Sequence, residues 1–269
     1  MQVLDVTKRD SPLVLSMPHA GTVLPKEVED TLNDRGRALA DTDWWIDRLY
    51  NFASDLGASI VKANLSRYVI DLNRNPAGHS LYPGQATTEL CPTTTFDGEP
   101  IYEDVDGPSE AEIERRRISY FVPYHEALEE RVGQALAIHG YALLYDCHSI
   151  CSQVPRLFDG TLPTINLGTN DGASCGPAIE DAVNQACASQ NQFSFVANGR
   201  FKGGWITRKN GRPDENVHAL QVELAQSAYM EEAPPWTFVE ERADQLRVVL
   251  RQMLTAYMAS AAEACGSRT

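Results

Sequence analysis

The sequence predicts an α/β fold in a single domain, and three observations carry that expectation. Strand-like and helix-like segments alternate along the chain, as in a sheet covered by helices. The run "YALLYDCHS" is apolar until its last residues and directly follows a helical segment, as suits a central parallel strand covered on both faces. No repeat period or low-complexity linker divides the 269 residues, and 43% of them are hydrophobic, which suffices for one substantial core.

The elements follow in order. "SPLVLSMPHAG" is a short apolar strand ended by Pro-His-Ala-Gly, which sets His19 just past its carboxyl end. "DTDWWIDRLYNFASDLG" has Trp45, Leu49, Phe52 and Leu56 at helical spacing, with Asp41 or Thr42 as cap and Gly57 as stop. That helix would hold Asp43 in its first turn, on the face opposite the apolar stripe together with Asp47. Two extended stretches are expected near 59–63 and 67–72. Residues 78–108, rich in Gly, Pro, Thr and Asp, form a long excursion of the kind that is usually functional inside a compact domain. A capping-box pattern, Ser109 with Glu112, starts a long helix that runs to Gly140, with Pro123 as the point where a kink would fall. The strand around "VHALQVELA" comes near the end.

Composition excludes some function classes. With 37 acidic against 23 basic residues and a formal charge of −14, the chain lacks the basic face of a nucleic-acid binder. The start of the chain has no secretory signal pattern and no apolar stretch is long enough to span a bilayer, so no membrane partner is expected and the location reads as cytoplasmic. Six cysteines show neither zinc-site spacing nor disulfide-framework density, and reduced thiols are expected. The sequence fixes no oligomeric state.

Open α/β sheets bind ligands beyond the carboxyl ends of their strands, where His19, Asp146, His148 and Ser149 fall. If the two strands are neighbours, His19 and His148 are placed as metal ligands; a lone histidine is more often a hydrogen-bonded structural residue. That structural reading is kept for His79, His125, His139 and His218. Glu223 interrupts an apolar strand: buried, its raised pKa would suit a general base, whereas on an edge strand it would be an ordinary surface charge.

"SMPHAG", "DTDWW", "SRYVIDLNRNP", "DCHS" and "VELAQSAYM" occur in this order between residues 16 and 230 and together resemble the N-formylglutamate amidohydrolase family. "RYVIDLNR" and "DCHS" also look like pieces of aspartoacylases and zinc carboxypeptidases, to which the family is distantly similar. The resemblance implies a phosphorylase/hydrolase-like fold, with a mixed central sheet and helices on both faces. It implies a deformylase of histidine breakdown that cleaves N-formyl-L-glutamate with Zn2+ or another divalent metal. His19 and His148 would hold the metal, Glu223 would be the general base and Arg67 would polarise the scissile carbonyl. Asn73 and Arg74 would grip a substrate carboxylate.

One departure from that wider zinc group matters. Its first ligand opens a His-x-x-Glu motif, but here the third residue after His19 is Thr22. Catalytic zinc usually has three protein ligands, so an aspartate of "DTDWWID" is expected to complete the set: Asp43, with Asp41 and Asp47 as alternatives. Asp146 would orient a ligand histidine. The basic stretch "NGRFKGGWITRKNGRP" reads as a loop, either a solvated charge run or the site for the second carboxylate of a diacid, with Arg200 and Arg208 as candidates. Rival readings are a hydrolase of another N-acyl amino acid or a peptide, a non-catalytic protein binding acidic metabolites, and a thiol or serine hydrolase. The last is disfavoured because Cys147 and His148, adjacent on a strand, point to opposite faces.

Overall fold

The computed structural model describes residues 2–79, 84, 87–104 and 107–266. Among these residues the strands are β1 (Leu4–Thr7), β2 (Leu13–Met17), β3 (Ser59–Ala63), β4 (Ala142–Ile150), β5 (Ile165–Gly168), β6 (Phe195–Ala197) and β7 (Val217–Ala225). They form one sheet in the order β1-β3-β2-β4-β7-β5-β6. The sheet is mixed: β3, β2, β4 and β7 run parallel, while β1 is antiparallel to β3 and β5 to β7. The helices are α1 (Lys26–Glu29), α2 (Asp34–Arg37), α3 (Ile46–Leu49), α4 (Glu110–Arg116), α5 (Val122–His139), α6 (Pro177–Ala188), α7 (Trp205–Asn210) and α8 (Glu240–Gly266).

β4 is buried along its whole length, and its side chains alternate between two cores. Leu143, Tyr145 and Cys147 pack with residues of α3, α6 and α8 on one face; Ala142 and Leu144 pack with Tyr124, Leu128 and Val132 of α5 on the other. Helices on both faces explain why the strand has no polar stripe until its end. On the α5 face the same alternation then delivers Asp146 and His148 from β4, and Gln221 and Glu223 follow Ala219 on β7. β7 lies between β4 and β5, so Glu223 is not on an edge strand.

Three local expectations change. The helix foreseen in "DTDWWIDRLYNFASDLG" does not begin at Asp43: Trp45 is left-handed (φ 61), and only Ile46–Leu49 is α-helical. A tight helical segment, Asn51–Leu56, follows and stops at Gly57 (φ 71). Distant contacts hold this turn, for Trp44 stacks on Trp236 and Trp45 Nε1 donates to the Trp236 carbonyl. Residues 67–72 form turns instead of a strand, because Ser66 Oγ accepts from Tyr68 N and Asp71 Oδ1 from Asn73 N, offering the backbone local partners. The basic stretch is part helix, α7, whose approach at Gly204 is so close that a Cβ there would collide with the Asn73 amide. The long helix starts at Ser109 as expected, its Oγ accepting from Glu112 N, and takes up Pro123 through a wide turn at Arg117–Phe121.

Candidate active site

Parallel strands bring their carboxyl ends to one place. β2 leads to His19, β4 carries His148 and β7 carries Glu223, with His148 and Glu223 in direct register on neighbouring strands. The turn segment after β3 adds Arg67, Asn73 and Arg74. These residues, with Arg200 from the loop before α7, line a cavity of ≈ 210 Å³, a size suited to a small molecule.

His19, Asp43 and His148 are all buried, and one potential ligand atom from each lies within 4.8 Å of the others. Asp43 enters from the turn before α3, where its N–H donates to the His19 carbonyl and so ties the two loops together. Asp43 Oδ2 faces His148 Nδ1 at 3.1 Å and His19 Nδ1 at 3.7 Å. The opposite ring nitrogens are engaged: Asp71 Oδ1 lies 2.8 Å from His19 Nε2, and Asp146 Oδ2 lies 2.9 Å from His148 Nε2. This is how ligating histidines are commonly oriented.

The triad fits a divalent cation on its own chemistry. His19 Nδ1 and Asp43 Oδ1 are buried polar atoms without hydrogen-bond partners, a costly state that a cation would relieve. Burial alone would lower the His148 pKa, yet Asp146 and Asp43 hold it well above the ordinary value, so the site draws in positive charge. Burial would likewise raise the Asp43 carboxyl, but His148 and His19 hold it below the usual carboxylate range. The other two aspartates are engaged elsewhere. Asp41 Oδ2 accepts from Phe96 N at 2.8 Å, and Asp47 pairs with Lys62 at 3.2 Å on the surface.

Glu223 is 7% exposed and accepts from Gln221 Nε2 at 3.0 Å. Burial pushes its pKa up to about 7; Asp43 and Asp146 add to the rise, and His148 and Arg67 oppose it. Arg67 donates to Asp71 Oδ2 at 2.6 Å and lies 3.8 Å from Asp43 Oδ1, with its guanidinium 4.5 Å from the centre of the Phe96 ring.

Residues 11–230 match the family model of N-formylglutamate amidohydrolase. The chain belongs to the N-formylglutamate amidohydrolase family. It is 48% identical over 258 residues to a protein named N-formylglutamate deformylase from Pseudomonas aeruginosa, covering 96% of this chain and 97% of the relative. To one of the same name from Pseudomonas putida it is 49% identical over 262 residues, covering 97% and 98%. The crystal structure of N-formylglutamate amidohydrolase from Ralstonia eutropha JMP134 has the same fold, with a TM-score of 0.79 at 24% identity and full coverage of both chains.

In this amidohydrolase-family chain, most residues singled out in the sequence meet at the cavity. Arg74 lines it and donates to the carbonyl and hydroxyl of Thr88. Arg200 lines it and donates to the Leu157 carbonyl. Asn73 lines it too, but its amide is engaged: Nδ2 donates to Asp146 Oδ2 and Oδ1 accepts from Ile206 N. Arg208 is not among the lining residues, and its Nε donates to the Gly203 carbonyl. Cys147 lies in the opposite core, where burial pushes its thiol well above the ordinary value, and Ser149 accepts there from Tyr229. Of the remaining histidines, His125 contacts the Leu72 carbonyl, His139 pairs with Asp10, and His218 accepts from Gly176 N, whereas His79 lines the cavity.

The sequence reading missed Asp71 and Phe96. Asp71 had a signal: it is a carboxylate inside the apolar "VIDL", the same anomaly that drew attention to Glu223. Phe96 had none, since its place over Arg67 depends on how the excursion folds back. Among the described residues, no helix is long and apolar enough to cross a membrane.

Proposed function

We propose that the chain hydrolyses N-formyl-L-glutamate to formate and L-glutamate, as the last step of one route of histidine breakdown, with Zn2+ or another divalent ion held by His19, Asp43 and His148. The observation that carries this reading is Glu223, a buried carboxylate paired in register with His148 and facing the same cavity as Arg67. Near-full-length likeness to two proteins named N-formylglutamate deformylase supports the choice of substrate.

A divalent ion in the triad would polarise the formyl carbonyl and acidify water near neutral pH. The chain's own groups do the rest. Glu223, with its pKa near that of a neutral-pH base, takes the proton from the attacking water and returns it to the departing amine nitrogen. Arg67 donates to the carbonyl oxygen as negative charge gathers on it. Arg74 and Arg200 face the substrate's two carboxylates, a task matched to the guanidinium fork. Asn73 holds the wall between Arg74 and His148. Arg208, outside the lining, has no part in this scheme.

The test is release of glutamate from N-formyl-L-glutamate, with and without a chelator, beside N-acetylaspartate and a C-terminal peptide. Chelator-sensitive turnover of the formyl substrate is expected. Absence of that turnover after metal is restored, or preference for either alternative, would overturn the assignment.

A further inference from the structure

Asp41 is a half-buried acid that the proposed reaction does not use, and it makes two contacts that meet at Arg67. Its backbone carbonyl accepts from Arg67 Nη1 at 3.4 Å. Its carboxylate Oδ2 accepts at 2.8 Å from the backbone N–H of Phe96, 55 residues further along the chain. Phe96 is the second residue of a tight turn closed by Gly98 N donating to the Thr95 carbonyl, with Gly98 at φ 88. The ring on that turn lies against the Arg67 guanidinium, 4.5 Å from its centre. Residues 41, 67 and 96 thus close a triangle through three different segments.

Resting on the assignment of Arg67 to the scissile carbonyl, we propose that Asp41 and Phe96 are positioning residues: the carboxylate pins the turn, and the ring fixes the plane of the Arg67 guanidinium. Arg67 needs such a fixture. Asp71 at 2.6 Å, the Asp41 carbonyl at 3.4 Å and Asp43 Oδ1 at 3.8 Å all meet the guanidinium at its N–H edges, where they restrain tilt out of its plane less than a contact on its face does. The aromatic face opposes that tilt and is attracted to the cation. Arg67 then meets developing charge without reorganising, which is where fixed donors act most strongly. The role is specific to the transition state because the substrate carboxylates are assigned to other arginines.

The test separates kcat from KM. Phe96→Leu and Asp41→Ala each lower kcat for N-formyl-L-glutamate about tenfold and leave KM within about twofold, whereas Phe96→Tyr and Asp41→Asn keep near-normal kcat. In an Arg67→Ala background, Phe96→Leu has no further effect. Additive losses there, or a rise in KM with kcat unchanged, overturn the clamp and make Phe96 a plain cavity wall. A substrate-free readout stands beside it. The NMR signal of Arg67 Nε–H, shifted by the Phe96 ring current, moves alike in Asp41→Ala and Phe96→Leu and stays in place in Asp41→Asn. An inactive wild type with that spectral pattern would sink the deformylase reading and leave the clamp standing; an active wild type whose signal ignores Asp41→Ala would sink the clamp alone.

Discussion

Asp71 serves two residues at once, with Oδ1 2.8 Å from His19 Nε2 and Oδ2 2.6 Å from Arg67 Nη2. Burial would raise its pKa, but Arg74, Arg67 and His19 together hold it well below the ordinary range. One carboxylate therefore aims both the histidine proposed as a metal ligand and the arginine proposed to meet the carbonyl.

Asp71→Asn is expected to weaken divalent-metal binding by about 10–100-fold, the usual consequence of losing a carboxylate behind a ligating histidine. Asp43→Ala should lose the ion altogether, and Asp47→Ala, on the surface, should keep it. Dialysis followed by metal analysis, with circular dichroism to confirm folding, checks the series. Retention of metal by Asp43→Ala would mean that another group completes the site.

Burial raises the Glu223 pKa to about 7, so the carboxylate is about half ionised near neutral pH. Its base form is then lost on acidification, and kcat/KM should fall as pH drops through that value. Glu223→Gln keeps the size of the side chain but cannot take a proton, and kcat should fall by about 10²–10⁴-fold. A pH–rate profile of both proteins checks this; a variant with more than a tenth of wild-type kcat would remove Glu223 from the role.

Arg200 is tested through the substrate side chain. Losing one charge-assisted contact of about 1.5–3 kcal/mol should raise KM for N-formyl-L-glutamate roughly 10–100-fold in Arg200→Ala. The same variant should treat a neutral N-formyl amino acid much as the wild type does. Arg208→Ala should leave KM within about twofold in either case. Equal effects of the two variants on the diacid would return Arg208 to the binding site.

How much of this site was legible in the sequence depends on how far each signal travels. β4 and β7 announce themselves because strands covered on both faces must be apolar, which makes Asp146, His148 and Glu223 conspicuous. The direction of a strand also fixes which end carries the chemistry, so His19 and His148 could be paired before their adjacency through β2 and β4 was known. Asp43 does lie beside both histidines, but on a turn and not in the first turn of the helix expected there. Its turn exists because Trp45 is held left-handed against Trp236, 191 residues away, and nothing within a helical window reports such a partner. The turns at 67–72 look like a strand in the sequence because buried apolar residues suit either, and the Ser66 and Asp71 side-chain bonds tell them apart.

His125 shows how an element outside the cavity supports it. It sits on α5, 4% exposed, with Nε2 2.9 Å from the Leu72 carbonyl, directly before Asn73 and Arg74. Burial lowers its pKa to about 4 from 6.5, and the Leu72 carbonyl pulls the other way without prevailing. Between those two values the unfolded chain takes up a proton that the folded chain excludes, so this group's contribution falls as pH drops from about 6.5 towards 4. Going from neutral pH to about 5, the wild type should lose about 2 kcal/mol of stability that a His125→Gln variant, which keeps a donor for Leu72 but cannot titrate, does not lose. Urea unfolding of both proteins across that range measures the difference. Parallel pH curves would show that the imidazole protonates freely in the folded state, and hence that α5 does not seal the Leu72 carbonyl from water.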